Sequence, residues 1–199
     1  MLKVSLTYFV DFVLKSGTPK VTVVRKFKEA GDYDPSVDFY KKIREAIIAL
    51  HESGGSSKDL DKVLSGLTDD KKRAAYPALI AGHKKFIGKK APIWFAPPTA
   101  TWSAGGLNVT VNPELGLEVE GTRMVLKMYF KEEALQKTRA EIIAHMMNLS
   151  LTPKTLAGTS FGILDVRRGK VILPPTPING HDALLAGEAA SFATIFANI

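Results

Sequence analysis

Apolar positions recur along the first ninety residues with the three-to-four-residue period of helices, and then change to alternation. Leu2, Leu6, Phe9, Val10 and Val13 form the first helical stripe, with Gly17 placed to stop it. Thr18-Pro19 reads as an N-cap followed by Pro at the first helical position. The segment it opens, running to Gly31, is rich enough in β-branched residues to suit a strand as well. Asp34-Pro35 repeats the cap signal ahead of the clearest stripe in the chain: Val37, Tyr40, Ile43, Ile47 and Leu50. Gly54-Gly55-Ser56-Ser57 breaks that helix, and SKDLDKVLSGL reads as a short one. Thr68 and Asp69 open another that reaches about Ile87, and Pro77 is expected to kink or divide it.

The pattern changes near Ala91. The stretch APIWFAPPTATWSAGG reads as a connection because of its Pro and Gly. LNVTV, LGLEVE and RMVLKMYF read as strands. KEEALQKTRAEIIAHMMNL reads as a helix presenting Leu135, Thr138, Ile142, Met146 and Leu149. TSFGILDVRRGKVILPP reads as a hairpin turning at Arg168-Gly169, and GHDALLAGEAASFATIFANI as an Ala-rich closing helix. The expected fold class is α+β. A basic helical region covers residues 1–90, and a small, mostly antiparallel sheet flanked by helices covers 91–199, as two units or one composite domain.

The hairpin in NPELGLEVEGTRMVLKMYFK carries the most chemistry. A turn at Gly121-Thr122 pairs Val119 with Met124, Leu117 with Leu126 and Leu115 with Met128, which makes one face apolar. The other face then holds Glu114, Gly116, Glu118 and Glu120 opposite Arg123, Val125, Lys127 and Tyr129. Glu114 and Glu118 are the candidate metal ligands, since hard cations such as Mg²⁺ or Mn²⁺ take carboxylate oxygens. Lys127 is placed to orient a water or stabilise charge on a phosphate, and Tyr129 completes the candidate catalytic set. The same alternation of Glu and Lys also describes an ordinary solvated sheet face.

Charge and composition narrow the classes. The net charge is +7, and residues 1–100 hold 18 Lys/Arg against 11 Asp/Glu whereas 101–199 hold nine of each. A basic excess confined to one half points to a polyanion partner, DNA or RNA. Lys71, Lys72, Arg73, Lys84, Lys85, Lys89 and Lys90 are the candidate phosphate contacts, with Trp94 and Phe95 as a stacking surface and Arg167 and Arg168 at a basic hairpin tip. The absence of Cys excludes disulfides, thiolate nucleophiles and Cys-ligated zinc. His51, His83, His145 and His181 form no zinc-binding spacing, and His145, among Ile142, Met146 and Met147, reads as a structural histidine. There is no P-loop, dinucleotide-binding glycine motif or G-x-S-x-G elbow. No apolar run approaches the roughly 18–20 residues that span a bilayer, so no membrane partner is expected. Asp11 interrupts the apolar start and no A-x-A site follows, which reads as mature protein, and the absence of Cys fits a cytoplasmic one.

From about Asp69 to Leu173 the order of elements is helix, three strands, helix and a further hairpin. This αβββαβ order resembles the common core of the PD-(D/E)xK nuclease superfamily, the restriction-endonuclease-like fold. In that family a Pro-Asp pair opens the second strand and an acidic-x-Lys set follows on the third. Pro113-Glu114 stands at the first position, with Glu for Asp. The acidic position of the second motif then falls at Lys127 and its Lys at Tyr129. The resemblance implies a nuclease-like core with a cation where a metal ligand is expected, and Glu118 as the substitute ligand if the site is active.

Three functions follow as expectations. The preferred one is a nucleic-acid-associated protein whose metal site is altered or lost. The second is a Mg²⁺- or Mn²⁺-dependent phosphodiesterase using Glu114, Glu118 and Lys127. The third is a non-enzymatic homo-oligomer assembled through Phe192, Ile195 and Phe196 of the closing helix.

Overall fold

Ser5 decides how the chain starts. Its hydroxyl accepts from the Tyr8 N–H at 3.2 Å, capping helix α1 (Leu6–Val13) and leaving Leu2–Ser5 as strand β1. The helix expected from Leu2 is therefore a strand and then a helix, and Leu2 shares the apolar period only by coincidence. Coordinates come from a computed structural model that describes residues 1–31 and 38–199. The Asp34-Pro35 cap and Val37 lie outside the described residues.

The segment after Thr18 is helix α2 (Pro19–Ala30), despite its β-branched residues. Packing overrides propensity: Val24 is fully buried, and the Phe27 ring meets Phe192 edge-on at 5.5 Å. Helix α3 (Lys41–Ser53) ends at Gly54, whose φ of 65° is the left-handed conformation that closes a helix. A 3₁₀ turn at Ser57–Asp61 and the one-turn α4 (Lys62–Ser65) follow. The Asp69 side chain accepts from the Lys71 and Lys72 N–H groups to start α5 (Asp70–Ile87), which Pro77 does not divide.

The second half adds β2 (Ile93–Phe95), β3 (Ala100–Ala104), β4 (Leu107–Val111), β5 (Leu115–Val119), β6 (Thr122–Tyr129), α6 (Lys137–Leu151), β7 (Ser160–Asp165), β8 (Lys170–Ile172) and α7 (His181–Asn198). The stretch expected as a connection thus contains two strands. They join two mixed sheets where a single one was anticipated; among the described residues four of the six strand pairs are antiparallel, and the fold is α+β as expected. The larger has the order β2-β5-β6-β7-β8, antiparallel throughout except for the parallel β6–β7 pair that α6 connects. The smaller has the order β1-β4-β3, with β1 parallel to β4.

That β1–β4 pairing ties the first residues of the chain to a strand of its second half. LNVTV, expected as the first strand of the αβββαβ core, is β4 in the smaller sheet. The first strand of the larger sheet is IWF, and the αβββαβ order there runs α5, β2, β5, β6, α6, β7.

The larger sheet is covered on both faces. Leu115, Leu117, Met124, Leu126 and Leu164 pack under Ile43 and Ile47 of α3 and Tyr76 and Leu79 of α5. On the other face, Val125, Tyr129, Phe161 and Ile163 meet Ile143, Ala144 and Met147 of α6. Helix α6 also contacts β3 and β4, so it is buried on more sides than its expected stripe, while Thr138 and Leu149 of that stripe are exposed.

Glycine sets one close approach. A Cβ on Gly82 of α5 would lie 2.1 Å from the Val166 carbonyl oxygen and 2.3 Å from that of Arg167. The β7–β8 tip is therefore seated on α5 and is not a free loop. Gly82→Ala is expected to cost about 1–3 kcal/mol, because overpacking forces backbone to shift. Gly187→Ala on α7, with open space around it, is the control and should gain up to about 1 kcal/mol. Denaturant unfolding of both variants checks the contrast.

Candidate functional site

The β5–β6 hairpin turns at Glu120-Gly121, one residue earlier than expected, with Val119 opposite Thr122. Both turn residues have positive φ, 50° at Glu120 and 77° at Gly121. A two-residue turn of this kind needs left-handed backbone at both positions, which a β-branched Thr122 resists. The pairing moves by two residues, to Leu115 opposite Leu126 and Leu117 opposite Met124. A shift of two keeps every side chain on its predicted face. The face expected to be charged is nevertheless covered, with Val125 fully buried and Tyr129 7% exposed beneath α6.

Glu114 and Lys127 come together at the start of β5. The Lys127 ammonium donates to Glu114 Oε1 at 2.5 Å and to the Asn112 carbonyl at 2.9 Å. Glu114 Oε2 accepts from the Met128 N–H at 2.8 Å. Both side chains are nearly buried, at 12% and 11% exposed, so the pair is desolvated and its charge-assisted bonds are strong.

Glu118 is not part of this pair. It sits four residues along the strand, about 13 Å away at ~3.3 Å per residue. There its Oε2 is 3.6 Å from Arg123 Nη1, and that guanidinium lies 3.5 Å above the Phe95 ring. The donor set does not fit a divalent ion. Both Glu114 oxygens are engaged, the second carboxylate is at the other end of the strand, and an ammonium sits between Glu114 and the Asn112 carbonyl.

Tyr129 points along the same face but has other partners. Its hydroxyl donates toward the Glu133 carbonyl at 3.2 Å and Glu133 Oε1 at 3.3 Å. Burial, and then the Glu133 carboxylate, push its phenol up to about 12, which keeps it protonated near neutral pH. Arg139, whose charge acts on Tyr129, joins α6 to Asp11 of α1 at 2.5 Å, and Lys131 forms a looser ion pair with Asp11 at 3.6 Å.

The basic residues do not converge on one patch. Lys71, Lys72 and Arg73 start α5, while Lys84 and Lys85 end it, roughly 18–20 Å away at 1.5 Å per residue. Arg73 pairs with Asp70, Lys84 with Asp61 at 2.6 Å, and Lys90 folds back onto the Phe86 carbonyl at 3.1 Å. Lys71, Lys85 and Lys89 are exposed. Arg168 holds Asp165 at 3.1 Å and the Glu132 carbonyl at 2.8 Å, and so pins the β6–α6 connection. Arg167 is half-buried beside it, with its Nε buried and unpartnered. Trp94 and Phe95 pack partly into the two cores on either face of the sheet.

His145 has the structural role its neighbours suggested. Its Nδ1 accepts from the Ile178 N–H at 3.0 Å and its Nε2 meets Asp182 Oδ1 at 2.6 Å, which ties α6 to the start of α7. Spacing gave no hint of a second histidine contact. His51 of α3 and His83 of α5 are 32 residues apart, yet their Nε2 atoms are 3.0 Å apart in a buried contact. That distance makes the contact an imidazole–imidazole hydrogen bond. Among the described residues no group of three or more His, Asp or Glu is placed to hold a metal ion. No helix of the described residues is long and apolar enough to cross a membrane. No family model and no curated protein sequence matches the chain.

Proposed function

We propose that this chain is a nucleic-acid-associated protein on a nuclease-like core in which an internal ion pair has replaced the metal site. The observation that carries the reading is the Lys127 ammonium bound to Glu114 and the Asn112 carbonyl. It sits where the PD-(D/E)xK resemblance puts a metal between the second and third strands. The run α5, β2, β5, β6, α6, β7 has the same αβββαβ order, with β3 and β4 inserted after the first strand. A Lys that neutralises Glu114 internally removes the need for a cation. What remains for function is binding, and the basic excess of residues 1–100 supplies the attraction.

The test is fluorescence anisotropy with labelled duplex DNA, single-stranded DNA and RNA over a salt series. Binding is expected at low ionic strength and should fall steeply between about 50 and 200 mM salt, as counterion release requires. Lys85→Glu with Lys89→Glu should flatten the salt slope by one to two units, at roughly 0.7–0.9 per phosphate contact. Addition of Mg²⁺ or Mn²⁺ should leave substrate length unchanged and weaken binding only as a competing counterion does, and a chelator should restore it. Failure to bind any of the three at low salt rejects the nucleic-acid reading, and metal-dependent cleavage rejects the replaced site.

A further inference from the structure

The His51–His83 contact lies outside the hairpin site, and it has an unusual proton inventory. Two imidazole nitrogens 3.0 Å apart hold one proton between them, so one facing Nε2 donates and the other must be unprotonated to accept. The ring centroids are 5.1 Å apart with planes at 72°, which is close to head-on. His83 is fully buried and its Nδ1 has no partner. His51 is 7% exposed and lines a cavity of about 230 Å³ with Leu50, Gly54, Gly55, Ser57 and Lys90.

We propose that this contact is an acid-released clasp between α3 and α5. When both rings are protonated, two N–H groups face each other across the contact, and the C-terminal end of α3 must separate from α5. The nearby charges do not compensate. On α5, Lys84 is paired with Asp61, and Lys90 donates to the Phe86 carbonyl. On the turn after α3, Asp59 is paired with Lys62. Strand β2, which α3 contacts, brings only Ile93, Trp94 and Phe95. Glu52, next to His51 on α3, is exposed, and among the described residues no carboxylate is hydrogen-bonded to either ring, whose contact is with the other imidazole.

The direction of the pH effect follows from the burial. Burial lowers His51 from its ordinary 6.5 to about 4, and burial with the His51 charge lowers His83 to about 3. Above 6.5 both rings are neutral whether the clasp is closed or open, and pH has no leverage. Below 6.5 the open form takes up protons that the closed form refuses. Opening is then favoured about tenfold per pH unit for each histidine, until the closed form itself protonates. The linkage therefore removes stability as the pH falls from 6.5 toward 4.

The test is an NMR titration of the imidazole C–H resonances of the full chain from pH 8 to 4, with Trp94 emission recorded in parallel. The expected result is that His51 and His83 stay neutral through 6.5 and then protonate in one cooperative step coincident with the Trp94 change. His51→Leu with His83→Leu should abolish that step. If the double variant does not fold, His51→Gln, at the rim of the contact, should halve the steepness of the step. Titration of either ring near 6.5 with no change at Trp94 overturns the clasp, as does a step that survives in the variants.

Discussion

Replacing Glu114 by Ala is expected to cost about 3–5 kcal/mol of folding stability, because it leaves the buried Lys127 ammonium without its counter-charge. The loss is about a fifth or more of the roughly 5–15 kcal/mol that stabilises an ordinary domain. It includes the Met128 N–H, which loses its acceptor. Lys127→Met should be destabilising for the mirror reason, since it strands the Glu114 carboxylate at 12% exposure. The two changes together should cost less than their sum, because the double variant buries no unpaired charge. Urea unfolding of the four proteins gives the coupling energy. A cost below 1 kcal/mol for Glu114→Ala would mean that the pair behaves as a surface salt bridge, and the replaced-site reading would lose its physical basis.

The second large effect is expected at Phe192. Phe192→Ala should cost about 3–5 kcal/mol, the usual price of emptying an aromatic site in a core. Its ring is fully buried, edge-on to Phe12 at 4.9 Å and to Phe27 at 5.5 Å. This bears on the assembly reading. Of the apolar residues of α7 that suggested a second copy, Phe192 is fully buried against α1 and α2, whereas Ile195 and Phe196 are partly buried, Phe196 lying 6.1 Å from Phe27. Sedimentation of wild type and variant, run beside denaturant unfolding, separates the outcomes. A large drop in stability with no change in mass fits an internal helix. An unchanged stability with a lost dimer fits the assembly reading.

How legible these features were depends on how local their causes are. The α5 start at Asp69, the α3 stop at Gly54 and the faces of the hairpin are set by residues within one turn, and the sequence states them. The hairpin register was misplaced because the choice between Gly121-Thr122 and Glu120-Gly121 depends on which residue accepts a left-handed backbone, and Glu is an uncommon occupant. β2 and β3 were missed because Pro and Gly flank them and each is only three to five residues long. Their strand character comes from partners elsewhere in the chain. Both covered faces of the larger sheet, and the His51–His83 contact, are products of tertiary packing. No spacing rule links residues 32 positions apart on different helices. The Glu114–Lys127 pair was legible as a set of residues but not as a pair, since the shift in register is what puts Lys127 beside Glu114 rather than Gly116.

The parallel pairing of β1 with β4 has a kinetic consequence. Leu2 lies beside Leu107, so the strand that begins the chain is completed by one about a hundred residues later. Closing so long a loop carries an entropic cost that is recovered only when the whole smaller sheet forms. During synthesis, Val4 has no partner until Val109 has emerged, and α1, α2 and α3 are all made before it can dock. The smaller sheet is thus expected to form late, and the rate of folding should respond to changes in β1 less than the rate of unfolding does.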